Sequence, residues 1–215
     1  MAERRIYLLA AGGHASVVLD ALLAMGVRVA GILDPARRPG ESIFGVAVLG
    51  DDGWLAGREP GATLLVNGAG QVPRASLRQA LFEGFKARGF GFVSVLHPSA
   101  VVGREAELAE GSQVMAGAVV QCRARIGRNA VVNTRASVDH DCVVGEHAFV
   151  GPGATLCGEV RVGEGAFVGS GAVVLPGVAV GARAIVGGGA LVARDVPEGA
   201  LVTGVPAAAR RERSE

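Results

Sequence analysis

Of 215 residues only one, Lys86, is a lysine, and only 4% are aromatic. Arginine carries the rest of the positive charge, which reads as a compositional habit rather than a function. The formal net charge is +1, so there is no basic field to hold nucleic acid or an anionic membrane surface. No apolar run reaches the roughly 18 residues that a membrane-spanning helix needs. The opening MAERRIYLLAAGGH has no signal-peptide cleavage pattern. Cysteine is scarce and odd in number: Cys122, Cys142 and Cys157. That excludes a disulfide frame and points to reduced thiols in a cytoplasmic protein.

What the chain has in abundance is glycine, 34 residues, and a period of six. Cut from His97, it reads HPSAVV, GREAEL, AEGSQV, MAGAVV, QCRARI, GRNAVV, NTRASV, DHDCVV, GEHAFV, GPGATL, CGEVRV, GEGAFV, GSGAVV, LPGVAV, GARAIV, GGGALV. The sixth place is always aliphatic, from Val102 to Val192. The fourth is small or β-branched: Ala except at Ser112, Cys142, Val160 and Val178. Glycine often follows the aliphatic residue. A six-residue period means a parallel β-helix, in which each repeat gives one short strand and one corner. Aliphatic side chains fill a narrow column, and backbone hydrogen bonds join successive coils of about eighteen residues. The scarcity of aromatic rings suits so narrow a core. Cys142, in a small inward place, belongs to it.

Residues 1–96 have a different rhythm. RIYLLAA (5–11), VRVAGILD (27–34) and ATLLVNGAG (62–70) have strand length and composition. ASVVLDALLAMG (15–26) and SLRQALFEGFKARG (76–89) have helical spacing. GDDGWLAGREPG reads as a short helix with loops, and FVSVLHP (92–98) leads into the repeats. Strands alternating with helices predict a small parallel α/β sheet. The expected domains are therefore an α/β unit over 1–96, a β-helix over 97–193 and a tail over 194–215 that leaves the prism.

Two places carry chemistry. AAGGHASVVLD joins the first strand to the first helix; glycines let a ligand approach the backbone, and helix N–H groups attract phosphate. Asp34 closes the second strand about twenty residues on, where such sheets read a ribose or base. The same pattern fits an ordinary tight turn and a strand-end Asp. Further along, Asp139, His140 and Asp141 stand among Ala, Gly and Val. His140 is second in its hexad, so it belongs outside the column near a corner. An imidazole titrates near neutral pH and suits general-base work. A solvated acidic corner is the bland alternative.

Taken together, the GGH turn, the strand ending in LD, HPSAVV, NTRASVDHD and the terminal GVPA resemble one family over nearly the whole chain. It is the nucleotide-amino-sugar N-acetyltransferases, including bacillosamine-pathway and perosamine acetyltransferases, with the sialic acid O-acetyltransferases. The resemblance implies a left-handed β-helix that binds acetyl-CoA, an N-terminal domain that binds a nucleotide sugar, and a homotrimer with sites between prisms. It implies His140 as catalytic base, with Asp141 orienting it. Gly13, His14, Asp34, Asn67, Asn133 and Asp139 become the substrate contacts. Phe149, Gly158, Ser170 and Gly188 become acetyl-CoA contacts. GVPA lies near the adenine end of CoA in the family, which brings Arg210 and Arg211 toward its phosphates unless the tail is simply solvated.

The chain departs from the family twice. Relatives carry a second histidine nine residues beyond the first, where this chain has Phe149; His147 or backbone N–H groups are the substitutes. Ala10 replaces a glycine common in the first turn. Transfer to an amine in a direct ternary complex is the expected chemistry. O-acetylation of sialic acid or a related sugar is the alternative, and a non-catalytic trimeric scaffold is the alternative of another class. The metal site that γ-class carbonic anhydrases build on this prism needs three convergent histidines. Beyond His97 only His140 and His147 lie in the repeats, so no metal is expected.

Overall fold

Strand β1 (Arg5–Leu9) lies inside a six-stranded sheet with the order β3-β4-β2-β1-β5-β6. The other members are β2 (Val29–Leu33), β3 (Ser42–Ile43), β4 (Val46–Gly50), β5 (Thr63–Asn67) and β6 (Gly91–Phe92). All neighbours run parallel except the edge hairpin β3–β4. The computed structural model describes residues 4–75 and 77–209, in two compact units that divide between Pro98 and Ser99.

Helix α1 (Gly13–Ala24) buries Ala15, Val18, Leu19 and Leu22, a 3–4 spacing that forms one apolar stripe. Helix α2 (Leu77–Ala87) buries Phe82 and Phe85. The first unit holds most of the chain's rings: Tyr7 tilts on Trp54, Phe82 on Phe92, and Phe85 meets Phe90 edge-on. The hairpin escapes the sequence reading. Its turn residues Phe44 and Gly45 both have positive φ, 48° and 79°, the backbone of a two-residue primed turn. Such turns favour Asn-Gly, and Phe at the first place hides the signal. GDDGWLAGREPG contains two 3-10 turns, Asp52–Leu55 and Pro60–Ala62, rather than an α-helix.

In the second unit every repeat strand has two residues, and they are the fifth and sixth places of the hexads. Each pairs in parallel with the strand eighteen residues on, as in Val119↔Ser137↔Thr155↔Val173↔Leu191. From Val114 onward the sixth-place side chains are at most 2% exposed. Fourth-place Ala118, Ala136, Cys142 and Ala154 are fully buried beside them. Fully burying one Val contributes about 1.5–3 kcal/mol, so the column is the dominant stabilising element.

The corners follow a rule of their own. From Glu105 onward third places take a left-handed backbone, whether glycine or not: Arg123 has φ 59°, Asp141 59° and His147 58°. First-place glycines answer to packing instead. A Cβ on Gly145 would lie 2.8 Å from Glu164 N and Gly163 C in the next coil. The prism also runs past Val192. Val196 bridges Val180, Leu201–Thr203 pairs with Ile185–Val186, and Val202 joins the core. The tail expected to leave at 194 therefore adds to the column, because Val196 and Val202 supply two more inward aliphatic residues.

Candidate active site

In the α/β unit, strand ends converge where the order reverses around β1. This switch point is where open α/β sheets leave a crevice. The backbone turns sharply at Ala10, whose φ is 71°. That is the glycine-favouring region, so the departure noted at this position is a real strain. Asp34 holds the turn: its carboxylate accepts from Ala11 N at 2.6 Å and from Ala36 N at 2.7 Å. Gly68 crosses close by; a Cβ there would sit 2.6 Å from Leu9 O. A Cβ added to Gly70 would sit 3.5 Å from the Cβ of His14. Gly13 and His14 open α1, so their backbone lies at the crevice mouth.

Asn67 has a different place from the one expected. It is 1% exposed, its Nδ2 donates to Arg78 O at 2.8 Å, and its Oδ1 accepts from Ala69 N. A buried amide engaged with backbone shapes the loop instead of offering itself to a ligand. Its companion is Arg78, buried on α2, whose Nη1 donates to Asn67 O at 2.9 Å and Ala69 O at 3.0 Å. Burial pushes this guanidinium down to about 9. Sequence reading missed it, since an Arg on an amphipathic helix normally faces water.

In the prism, the corner between Ser137–Val138 and Val143–Val144 carries Asp139, His140 and Asp141. His140 N donates to Asp139 Oδ1 at 2.7 Å. His140 Nδ1 lies 2.8 Å from Asp141 Oδ2, and the side chain is 48% exposed. Asp141 also accepts two bonds from Arg123, Nε to Oδ1 at 2.7 Å and Nη2 to Oδ2 at 2.8 Å. Those bonds, with that from His140, hold the Asp141 carboxyl well below the usual carboxylate range. With Nδ1 engaged by Asp141, Nε2 is the edge turned to a recess of about 480 Å³. Its lining includes Asp139, His140, Cys157, Gly158 and Glu159. Cys157 was not expected here; it falls one residue short of a full coil from His140, a spacing that the period of eighteen already contains.

The remaining residues do not all meet at this corner. Gly158 lies directly against the His140 ring. Asn133, Ser170 and Gly188 belong to a different corner, Asn133 turning its Oδ1 onto Thr134 N at 2.7 Å. Phe149, expected at the cofactor, is 7% exposed and stacks on Phe167 with centroids 4.9 Å apart. Its ring is largely covered by this packing. His147 is 5% exposed, with Nδ1 2.9 Å from buried Asn129 Nδ2. As a substitute for a second site histidine it is therefore poorly placed: its ring is buried against Asn129 in the preceding coil. Arg210 and Arg211 lie outside the described residues. Among the described residues there is no cluster of His, Cys, Asp and Glu that holds a metal, and no helix long and apolar enough to cross a membrane.

Two family models match the chain: the PglD N-terminal domain over residues 5–70, and the bacterial transferase hexapeptide repeat over 123–158 and 159–194. Among solved structures, a histidine-to-asparagine mutant of perosamine N-acetyltransferase from Caulobacter crescentus, in complex with CoA and GDP-perosamine, is 42% identical. The match covers 97% of each chain with a TM-score of 0.89. The acetyltransferase domain of PglB from Neisseria gonorrhoeae, in complex with acetyl coenzyme A, is 33% identical. It covers 97% of this chain and 100% of that one with a TM-score of 0.88. WeeI from Acinetobacter baumannii shares the fold at 24% identity and a TM-score of 0.84. A search of curated proteins gives no match.

Proposed function

Because the chain belongs to the acetyl-CoA-dependent nucleotide-amino-sugar acetyltransferases, with their left-handed β-helix, we propose that it acetylates the amino group of a nucleotide-linked amino-deoxy sugar with His140 as general base. The carrying observation is the corner itself: Asp141 takes the Nδ1 side of the imidazole, and Nε2 faces the recess over Gly158. Acetyl-CoA supplies the thioester.

His140 Nε2 accepts a proton from the sugar amine as its nitrogen bonds to the thioester carbonyl carbon. The C–S electron pair leaves with the CoA sulfur, and the imidazolium returns the proton to that thiolate. Asp141 stabilises the imidazolium in between. The reaction is a direct transfer in a ternary complex. Gly158 fits such a site, since a residue without a side chain leaves the Nε2 edge open. Ser170 and Gly188 line the acetyl-CoA groove from the other corner, with Asn133 toward the sugar. The turn at 10–14 receives the pyrophosphate and Asp34 the nucleoside. Because His140 and Asn133 stand on different corners, the working unit is a homotrimer with each site shared between neighbours. The 42% identical relative crystallised with GDP-perosamine makes GDP-linked amino sugars the first acceptors to try.

The test is CoA release from acetyl-CoA with UDP-, GDP- and dTDP-linked amino sugars and CMP-sialic acid, followed by mass analysis of the product. An N-acetylated nucleotide sugar supports the reading. Acetyl-CoA binding with turnover only on CMP-sialic acid overturns the amine assignment, and no CoA binding overturns the enzyme.

A further inference from the structure

Asp141 Oδ2 is shared. It lies 2.8 Å from His140 Nδ1 and accepts from Arg123 Nη2, also at 2.8 Å. We propose that Arg123, one coil earlier, is the positioning residue for His140, acting through Asp141. This rests on His140 being the base.

Geometry carries the argument. Arg123 and Asp141 are both third places, eighteen residues apart, and both have the left-handed backbone, φ 59° each. That backbone brings the two side chains into line on one edge of the prism. The guanidinium grips both carboxylate oxygens in a planar fork, which removes the carboxylate's freedom to rotate. A carboxylate so fixed leaves one direction for the Nδ1 bond of His140, and therefore one direction for Nε2. His140 lines one recess, and Arg123 and Asp141 line another, of about 590 Å³, with Glu105, Glu107, Arg125 and Val143.

The prism supplies its own control. Arg128 grips Glu146 in the same fork, at 2.9 and 2.8 Å, again eighteen residues apart. There the ladder joins coils and carries no half-exposed imidazole. The fork alone is a structural ladder; the histidine on the far side of Asp141 is what makes Arg123 different.

The experiment compares pH profiles of kcat and kcat/KM for wild type and Arg123→Ala, Arg123→Lys, Arg128→Ala and His140→Ala, each checked for fold by thermal melting. For Arg123→Ala we expect kcat lower by about tenfold at neutral pH, a part of a general base's full worth. Both KM values should stay within about twofold, because a positioning residue acts on the reacting base and not on binding. Arg123→Lys keeps the charge without the fork, so kcat should stay low. Arg128→Ala should match wild type. Superimposable profiles for Arg123→Ala and wild type overturn the proposal. So does a rise in acetyl-CoA KM alone, which means a direct CoA contact. Should Arg123→Ala fail to fold, Arg123→Lys decides through kcat. A wild-type rate in His140→Ala sinks the base assignment instead, a separate failure.

Discussion

A methyl group on Gly158 would stand 2.6 Å from Nε2 of His140 and 2.7 Å from its Cε1. The obstacle is a half-exposed ring, which can swing aside, so Gly158→Ala should fold and melt close to wild type. Its kcat should nevertheless fall by about 10- to 100-fold, because a base displaced by about 1 Å loses its alignment. Gly145→Ala makes the opposite prediction. Its Cβ would meet backbone of the next coil, so overpacking of about 1–3 kcal/mol should lower the melting temperature. Melting curves and kcat for the two variants check the pair; equal loss of stability in both contradicts this account.

Ala10→Gly should stabilise the protein. Ala10 holds φ 71°, and an L-residue pays about 1–2 kcal/mol there. Glycine's greater freedom in the unfolded chain gives back part of that gain. Urea unfolding should show a higher midpoint with an unchanged slope. A lower midpoint means that the turn is not strained.

Arg78→Ala removes the bonds to Asn67 O and Ala69 O inside a buried loop. The expected loss is about 2–4 kcal/mol. Since the 67–70 segment borders the crevice beside His14, acceptor KM should rise while acetyl-CoA KM stays put. A variant with both KM values unchanged separates Arg78 from the acceptor site.

Burial pushes the Cys142 thiol up to about 11 and keeps it protonated. The sign follows: the native fold favours the thiol, so Cys142 costs stability only as pH rises above the ordinary thiol range. At pH 8 a disulfide reagent should titrate Cys122 and Cys157 in the native protein and all three cysteines after denaturation. Cys157 borders the His140 recess, so its replacement by Ala is the critical one for mechanism. Direct transfer predicts near-wild-type kcat; a trapped acetyl-Cys157, or ping-pong kinetics, contradicts it.

The repeat was legible because a fixed period dictates depth: fourth and sixth places are buried from Ser112 to Val192. His140, at a second place between two acids, was legible as an outward histidine. Contacts between coils were less so. Arg123 with Asp141, and Cys157 near His140, become visible only when the chain is read modulo eighteen rather than six. In the α/β unit β1, β2, β5 and both helices followed their periodicity, whereas β4 and the two-residue β6 gave no such signal. The Phe44–Gly45 hairpin was not legible either, since its turn backbone is disguised by an aromatic residue. Asn67 misled for another reason: a polar residue at a strand end looks the same whether it greets a ligand or, as here, ties down its own loop through Arg78.

The most direct measurement is the initial rate of acetyl transfer to a GDP-linked amino sugar by wild type and His140→Ala from about pH 6 to about pH 10. Losing a general base costs about 10²–10⁴ in kcat. We predict that loss near neutral pH, shrinking at high pH where the amine deprotonates unaided. A His140→Ala enzyme as fast as wild type at neutral pH would contradict the account at its centre.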